Sequence, residues 1–398
     1  MISLSKFKSL IPTPLLNKLA IECDVNADNH VRLPGQTVFL CLLNGILNHM
    51  ALTQRMLEEH YTKLIGKHCD HSSFGKRIAG IDADFFQAIS DHLYSKFSSM
   101  VSNKDLQVLN LRIIDATIVA YSAKLLSFGI KADHGNKGLK SQVKSVIELS
   151  DEGLPNLLHI CKDQSEFSDV KALGETMKRY TKKGDLWVFD KGCHAHQVLF
   201  DLHESGAFWL TPHSAQKLIV LGVLFESDTA LPESAPADQD AALVVHRVEL
   251  ASFSGKRSRV KDLESMHIVV VHCYRWDKRA KSWKQLVLMT NLPLNESRDK
   301  AGPYTFQEIA DIYRRRWEIE IFFRLIKQHL NYDHLTSRSE NGIAVMIHMS
   351  MIASLLMIWY KQQANINRGW RSVKFWLAEN VREWTLYSLK HAQLRASP

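Results

Sequence analysis

Four residues with the spacing Tyr313-x2-Arg316-x3-Glu320-x6-Lys327 come closest to chemistry in this chain. On a helix, at about 100° per residue, they fall within an arc of roughly 60°, with Trp317 and Arg324 at its edge. A carboxylate beside two cations and a phenol could hold a divalent ion together with the phosphate oxygens around it. The competing reading is a surface helix with ion pairs at i,i+4, Arg316–Glu320 and Glu320–Arg324. One carboxylate does not make a metal site, so a metal-binding Glu320 requires two further acids, each an Asp at a strand end upstream.

The elements around these residues follow from the pattern. Residues 305–332 contain no Gly or Pro, and Pro303 and Thr305 mark a start, so one uninterrupted helix is expected. Beside its polar arc run Ile312, Ile319, Phe322, Phe323, Ile326 and Leu330, an apolar face for a core. Upstream, residues 106–121 read as a strand interrupted by Asp115, followed by Ala116 and Thr117. A carboxylate there is costly unless it is paired or binds a metal, although an Asp bonding nearby amides is common. Residues 144–150 and 156–161 read as two more strands, and 168–183 as a crossover helix ended by Gly184. A short strand then leads to Asp190, with Gly192 free to turn into the next helix. Lys131, Lys137, Lys140 and Lys144 form a basic run that is either a solvated face or a phosphate track.

Taken together, the Tyr-Arg-Glu-Lys spacing, the Asp115-Ala116-Thr117 strand and Asp190-x-Gly192 resemble the DDE transposases of bacterial insertion sequences. That family often carries Tyr or Phe after the Gly, where this chain has Cys193. The resemblance implies a ribonuclease-H-like fold whose first and fourth strands are neighbours, which would set Asp115 beside Asp190. It implies an α/β mixed-sheet catalytic domain (106–207 and 286–335) interrupted by an all-β insertion (208–285), because 130 residues separate Asp190 from Glu320. A helical N-terminal domain (1–105) precedes it, read as DNA-binding or as plain helical packing, and a helical region (336–398) follows.

The resemblance also implies the chemistry. Asp115, Asp190 and Glu320 would be catalytic and bind metal, two Mg²⁺ ions with Mn²⁺ able to substitute. Tyr313, Arg316 and Lys327 would hold DNA phosphates, and we add Arg324, Lys140 and Lys144 to the expected DNA contacts. The expected reaction is metal-dependent nicking and strand transfer at transposon ends. The expected partners are double-stranded DNA, as terminal inverted repeats and target, and a second copy in the DNA complex. A bacterial cytoplasmic location follows, nucleoid-associated when DNA-bound. The alternatives are a structure-selective nuclease on the same fold, or a catalytically silent DNA-binding regulator derived from a transposase.

Composition agrees with this class. With 45% hydrophobic and 23% charged residues among 398, the chain can bury a large core. A net charge of +8 suits a polyanionic partner. The six Cys are scattered without a C-x-x-C pair, as expected of a reduced protein. His68-Cys69-x-His71 and Cys193-His194-x-His196 lack the second pair of a zinc site. Residues 342–360 approach a membrane span in length, but His348, Ser350 and Ser354 favour a buried helix.

Overall fold

The computed structural model describes residues 2–26, 33–101, 109–122, 129–133, 139–193, 195–213, 218–231, 243–254, 263–334 and 336–396. Its N-terminal part is helical: α1 (Leu4–Lys8), α2 (Thr13–Glu22), α3 (Gly35–Asn48), α4 (Gln54–Ile65), α5 (His71–Gly80) and α6 (Ala83–Val101). Start signals are local. Thr53 and Asp70 accept hydrogen bonds from the first-turn amides of α4 and α5, while Gly66 ends α4 in the left-handed region.

Strands follow: β1 (Asn110–Ser122), β2 (Ile130–Asp133), β3 (Leu139–Ser150) and β4 (Pro155–Cys161). A 3₁₀ turn at Gln164–Glu166 leads into α7 (Asp169–Tyr180), β5 (Asp185–Val188), α8 (His196–Glu204) and β6 (Phe208–Pro212). The short β2 was not separated from turn material by the residue pattern. Next come β7 (Leu218–Glu226), β8 (Leu243–Phe253), β9 (His267–Asp277), β10 (Ser282–Thr290) and the two-residue pair β11 (Lys300–Ala301) and β12 (Tyr304–Thr305). Four helices complete the chain: α9 (Phe306–Arg314), α10 (Trp317–His329), α11 (Glu340–Gln363) and α12 (Trp370–Ala396).

One sheet runs in the order β2-β3-β1-β5-β6-β10-β9-β8-β7, with β4 also paired to β3. β1 is antiparallel to β3 and parallel to β5, and β5 is parallel to β6. The adjacency of the first and fourth core strands is therefore as expected. Their register is reinforced by Arg112 on β1. It donates to Glu148 Oε2 on β3 (2.6 Å) and to Asp185 Oδ2 on β5 (2.8 Å), and its guanidinium lies 3.9 Å from the Trp187 ring centroid. A buried cation that matches two buried carboxylates leaves little tolerance for slippage.

Two expectations need correction. The β-rich residues 208–285 do not build a sheet of their own. β6 is a core strand parallel to β5, and β10 pairs with β6, so β7 to β10 extend the core sheet. Pairing the insertion to an open core edge satisfies backbone groups that a separate sheet would leave bare. Residues 305–332 are also not one helix. The chain tightens at Arg315 and Arg316, where the Arg316 amide donates to Tyr313 O (3.0 Å) and the Glu318 amide to Arg315 O (2.8 Å). The break coincides with a tertiary anchor: Arg315 bonds the side chain and carbonyl of Asp151 in the β3–β4 turn. Local pattern carries no trace of that contact.

The sheet is covered on both faces. One face packs Ile114, Val146, Trp187 and Trp209 against Leu173 of α7 and Leu199 of α8. The other packs Ile113, Ile147, Leu186 and Val188 against Ile319, Phe322 and Ile326 of α10 and against α11. Helix α11 is long and apolar enough to cross a membrane, but 89% of its apolar window is buried inside the protein. It packs against α3, α5, α6, α12 and β4 as a central core helix.

Candidate active site

The β1–β5 pairing ends at Ile113 and Val188, and Asp115 and Asp190 each follow two residues further on, near enough for Asp190 to raise the Asp115 carboxyl. Side chains alternate along a strand, so Asp115 shares the face of Ile113, the face that α10 covers. Glu320 sits one turn into α10 and is half-buried. All three carboxylates thus belong to one side of the sheet, contributed by a strand, a strand end and a helix. Asp190 is exposed; Asp115 is half-buried.

Electrostatics separates the roles. Burial raises the Asp115 carboxyl to about 6; Asp190 and Asp169 add to the rise, while the Ala116 amide and Arg316 oppose it. Among the described residues, its Oδ1 accepts only the adjacent Ala116 N–H at 2.7 Å. A buried acid without a directly bonded cation is what a hard divalent ion would relieve. Glu320 Oε1 accepts from Arg316 Nη2 at 2.7 Å. Arg316 is 7% exposed, and its Nε is buried with no hydrogen-bond partner. Its guanidinium therefore lies beside Glu320 and near Asp190. Tyr313 is buried, and burial is the main reason its hydroxyl holds its proton well above the ordinary range. Lys327 Nζ lies 3.3 Å from Ile118 O on β1, which ties the end of α10 to the Asp115 strand. The three carboxylates are not drawn within 4.8 Å of one another, unlike two other acid–histidine groups among the described residues. The donor set, oxygens only and all from acids, fits Mg²⁺.

The added DNA contacts fare differently. Arg324 is exposed on α10, four residues beyond Glu320. The Lys140 side chain lies outside the described residues, as does Lys137. Lys144 does not line the surface: its ammonium is buried and bonds Phe167 O (2.6 Å) and Asp169 Oδ1 (2.8 Å). Its sequence neighbours gave no sign of this, because the partner lies across β4 on α7. Asp169 was likewise not foreseen. It adds to the raised pKa of Asp115, yet in the sequence it is only an ordinary acid in the first turn of a helix.

Two more residues matter through α10. Asn331, in the left-handed region at φ 60°, donates to Ile46 O (3.3 Å) and His49 O (2.9 Å) and accepts from the Leu52 amide (2.8 Å). Lys374 on α12, also buried, donates to His49 O (3.0 Å) and His329 O (2.6 Å). Together they lock the C-terminal end of α10 to that of α3, where a cation suits the carbonyl ends of both helices.

Comparisons with known proteins point one way. The family described as Transposase DDE domain matches residues 107–356. A Synechocystis sp. protein named as a transposase for insertion sequence element IS4SA is 39% identical over 70 residues, 18% of this chain and 20% of that one. A Sinorhizobium fredii protein named as transposase y4zB is 28% identical over 262 residues, 65% of this chain and 62% of that one. The matched stretches thus span less than two thirds of these relatives. A chain from a piggyBac transposase synaptic complex with hairpin DNA aligns over 98% of this chain and 81% of that one, at 10% identity and a TM-score of 0.47, too loose a likeness to carry an argument.

Proposed function

The chain belongs to the transposase DDE domain family, and from that premise we propose that it is the transposase of a bacterial insertion sequence, excising and inserting its element by metal-dependent DNA phosphoryl transfer. Asp115, Asp190 and Glu320 are the metal-binding acids. The observation that most supports the reading is the parallel β1–β5 pairing, which ends two residues short of both Asp115 and Asp190 in a sheet whose face α10 covers.

The chain's own residues divide the work. Asp190, exposed, meets the DNA side of the site; Asp115, half-buried within β1, anchors it from below. Arg316 orients Glu320 through its 2.7 Å bond. Lys327 and the exposed Arg324 extend the cationic side of α10 toward the DNA backbone. When bound, two Mg²⁺ ions, with Mn²⁺ as substitute, would supply an activated nucleophile and stabilise the leaving oxygen. The substrates are the terminal inverted repeats and a target duplex. Cutting two ends in one complex calls for two copies of the chain on DNA. The protein acts in the cytoplasm, at the nucleoid.

The test is cleavage of the element's own end DNA with Mg²⁺ or with EDTA. Wild type nicks at the element boundary only with Mg²⁺, whereas Asp115→Ala, Asp190→Ala and Glu320→Ala bind the same DNA without cutting it. Boundary-specific binding without cutting by wild type would instead mark a regulator, and cutting unrelated to the boundary a general nuclease.

A further inference from the structure

A second donor set lies at the end of β4, away from the carboxylates of β1, β5 and α10. His159 and Cys161 are two residues apart on that strand, and Glu166 returns to them from the 3₁₀ turn that follows. The ligand atoms of the three (imidazole nitrogen, thiol sulfur and carboxylate oxygen) all lie within 4.8 Å of one another. His159 Nε2 and Glu166 Oε1 are 2.5 Å apart.

The set is held in place. Glu166 Oε2 accepts from the Lys162 amide (3.1 Å) and the Asp163 amide (3.3 Å), and Asp163 in turn caps the turn. With Oε2 fixed by backbone amides, Oε1 is aimed at the His159 imidazole, the bond an entering cation would replace. Cys161 is fully buried, while His159 and Glu166 are about one quarter exposed. A cavity of about 550 Å³, lined in part by His159, Lys162, Glu340 and His348, borders the imidazole and opens a route inward.

We propose that His159, Cys161 and Glu166 bind one divalent d-block cation of the zinc class, leaving a fourth coordination position open. Nitrogen, sulfur and oxygen donors together select zinc or cobalt over magnesium, which prefers oxygen alone. On binding, the Cys161 thiol loses its proton to solvent, and the neutral His159 ring shifts its proton from Nε2 to Nδ1 to free the ligating nitrogen. Burial holds the metal-free thiol up to about 12, so affinity rises with pH as that proton becomes easier to release. The bound ion pins β4 to the turn that launches α7, beside the Lys144–Asp169 pair.

Titration of the EDTA-stripped, full-length protein with Co²⁺ tests this. One Co²⁺ per chain should raise a thiolate-to-cobalt charge-transfer absorption that Zn²⁺ abolishes. Glu320→Ala should retain the signal, since the carboxylate site is separate, and Cys161→Ser should lose it. Glu166→Gln, at a partly exposed position that leaves the core intact, should weaken Co²⁺ binding by about tenfold or more. No charge-transfer band in wild type, or a band that survives in folded Cys161→Ser, overturns the site. So does unchanged Co²⁺ affinity in Glu166→Gln, which decides the matter if Cys161→Ser does not fold. None of these readings depends on DNA cleavage.

Discussion

At the residue scale, the site spends stability for function. Asp115 is an acid in an apolar strand whose carboxyl burial raises to about 6. At pH 7 the group must nevertheless ionise, so the metal-free protein carries a penalty on the order of 1–3 kcal/mol. Asp115→Asn should therefore raise the unfolding free energy by about that amount in EDTA at pH 7, while abolishing cleavage. Adding Mg²⁺ should narrow the gap by stabilising wild type alone. Denaturant titrations of both proteins, with and without the ion, measure this. A less stable Asn variant in EDTA would mean that Asp115 is satisfied by the protein itself. Cys193 is buried, and burial first, then the nearby Asp115, Asp169 and Asp190, keep its thiol protonated.

At the element scale, α10 is the part that must not drift, because it carries Glu320, Arg324 and Lys327. Its start is set by the tight turn at Arg315–Arg316 and its end by Asn331 and Lys374. Asn331→Ala removes three hydrogen bonds and leaves Ala, which tolerates the left-handed region less well than Asn, at φ 60°. It should cost about 2–4 kcal/mol in chemical denaturation. A cost near zero would show that the α3–α10 junction holds without it. The apolar arc of residues 312–330 was legible as a helix signal. The break was not, because the Asp151 contact lies across the fold in the β3–β4 turn.

At the scale of the whole molecule, α11 holds the helical part to the sheet. His348 lies on that helix at 6% exposure, with a buried Nδ1 that has no hydrogen-bond partner. Burial lowers its pKa to about 4, below the value near 6.5 of an unfolded chain. The unfolded state thus binds more protons between those values, so stability is lost as pH falls from about 6.5 toward 4. His348→Leu should lose about 2–3 kcal/mol less than wild type between pH 7 and pH 4, read from unfolding midpoints across that range. An equal loss in both would place the acid sensitivity elsewhere, with His60, also lowered to about 4, the next group to test.

The sequence by itself determined the parts whose cause is local. The spacing of Tyr313, Arg316, Glu320 and Lys327, the two Asp residues at strand and strand end, and the order of strands and helices between them were readable because periodicity, caps and breakers act over a few residues. It also carried enough pattern to suggest the family before any contact was known. Only the tertiary structure decided the rest. It brought Asp115 near Asp190 just past the end of the β1–β5 pairing, merged the expected insertion into the core sheet, and bent the stretch 305–332 at a contact with Asp151. It buried Lys144 against Asp169 and gathered His159, Cys161 and Glu166. Each of these rests on atoms that meet only when separate elements pack, and a burial or a pairing across the fold leaves no periodic trace in the chain.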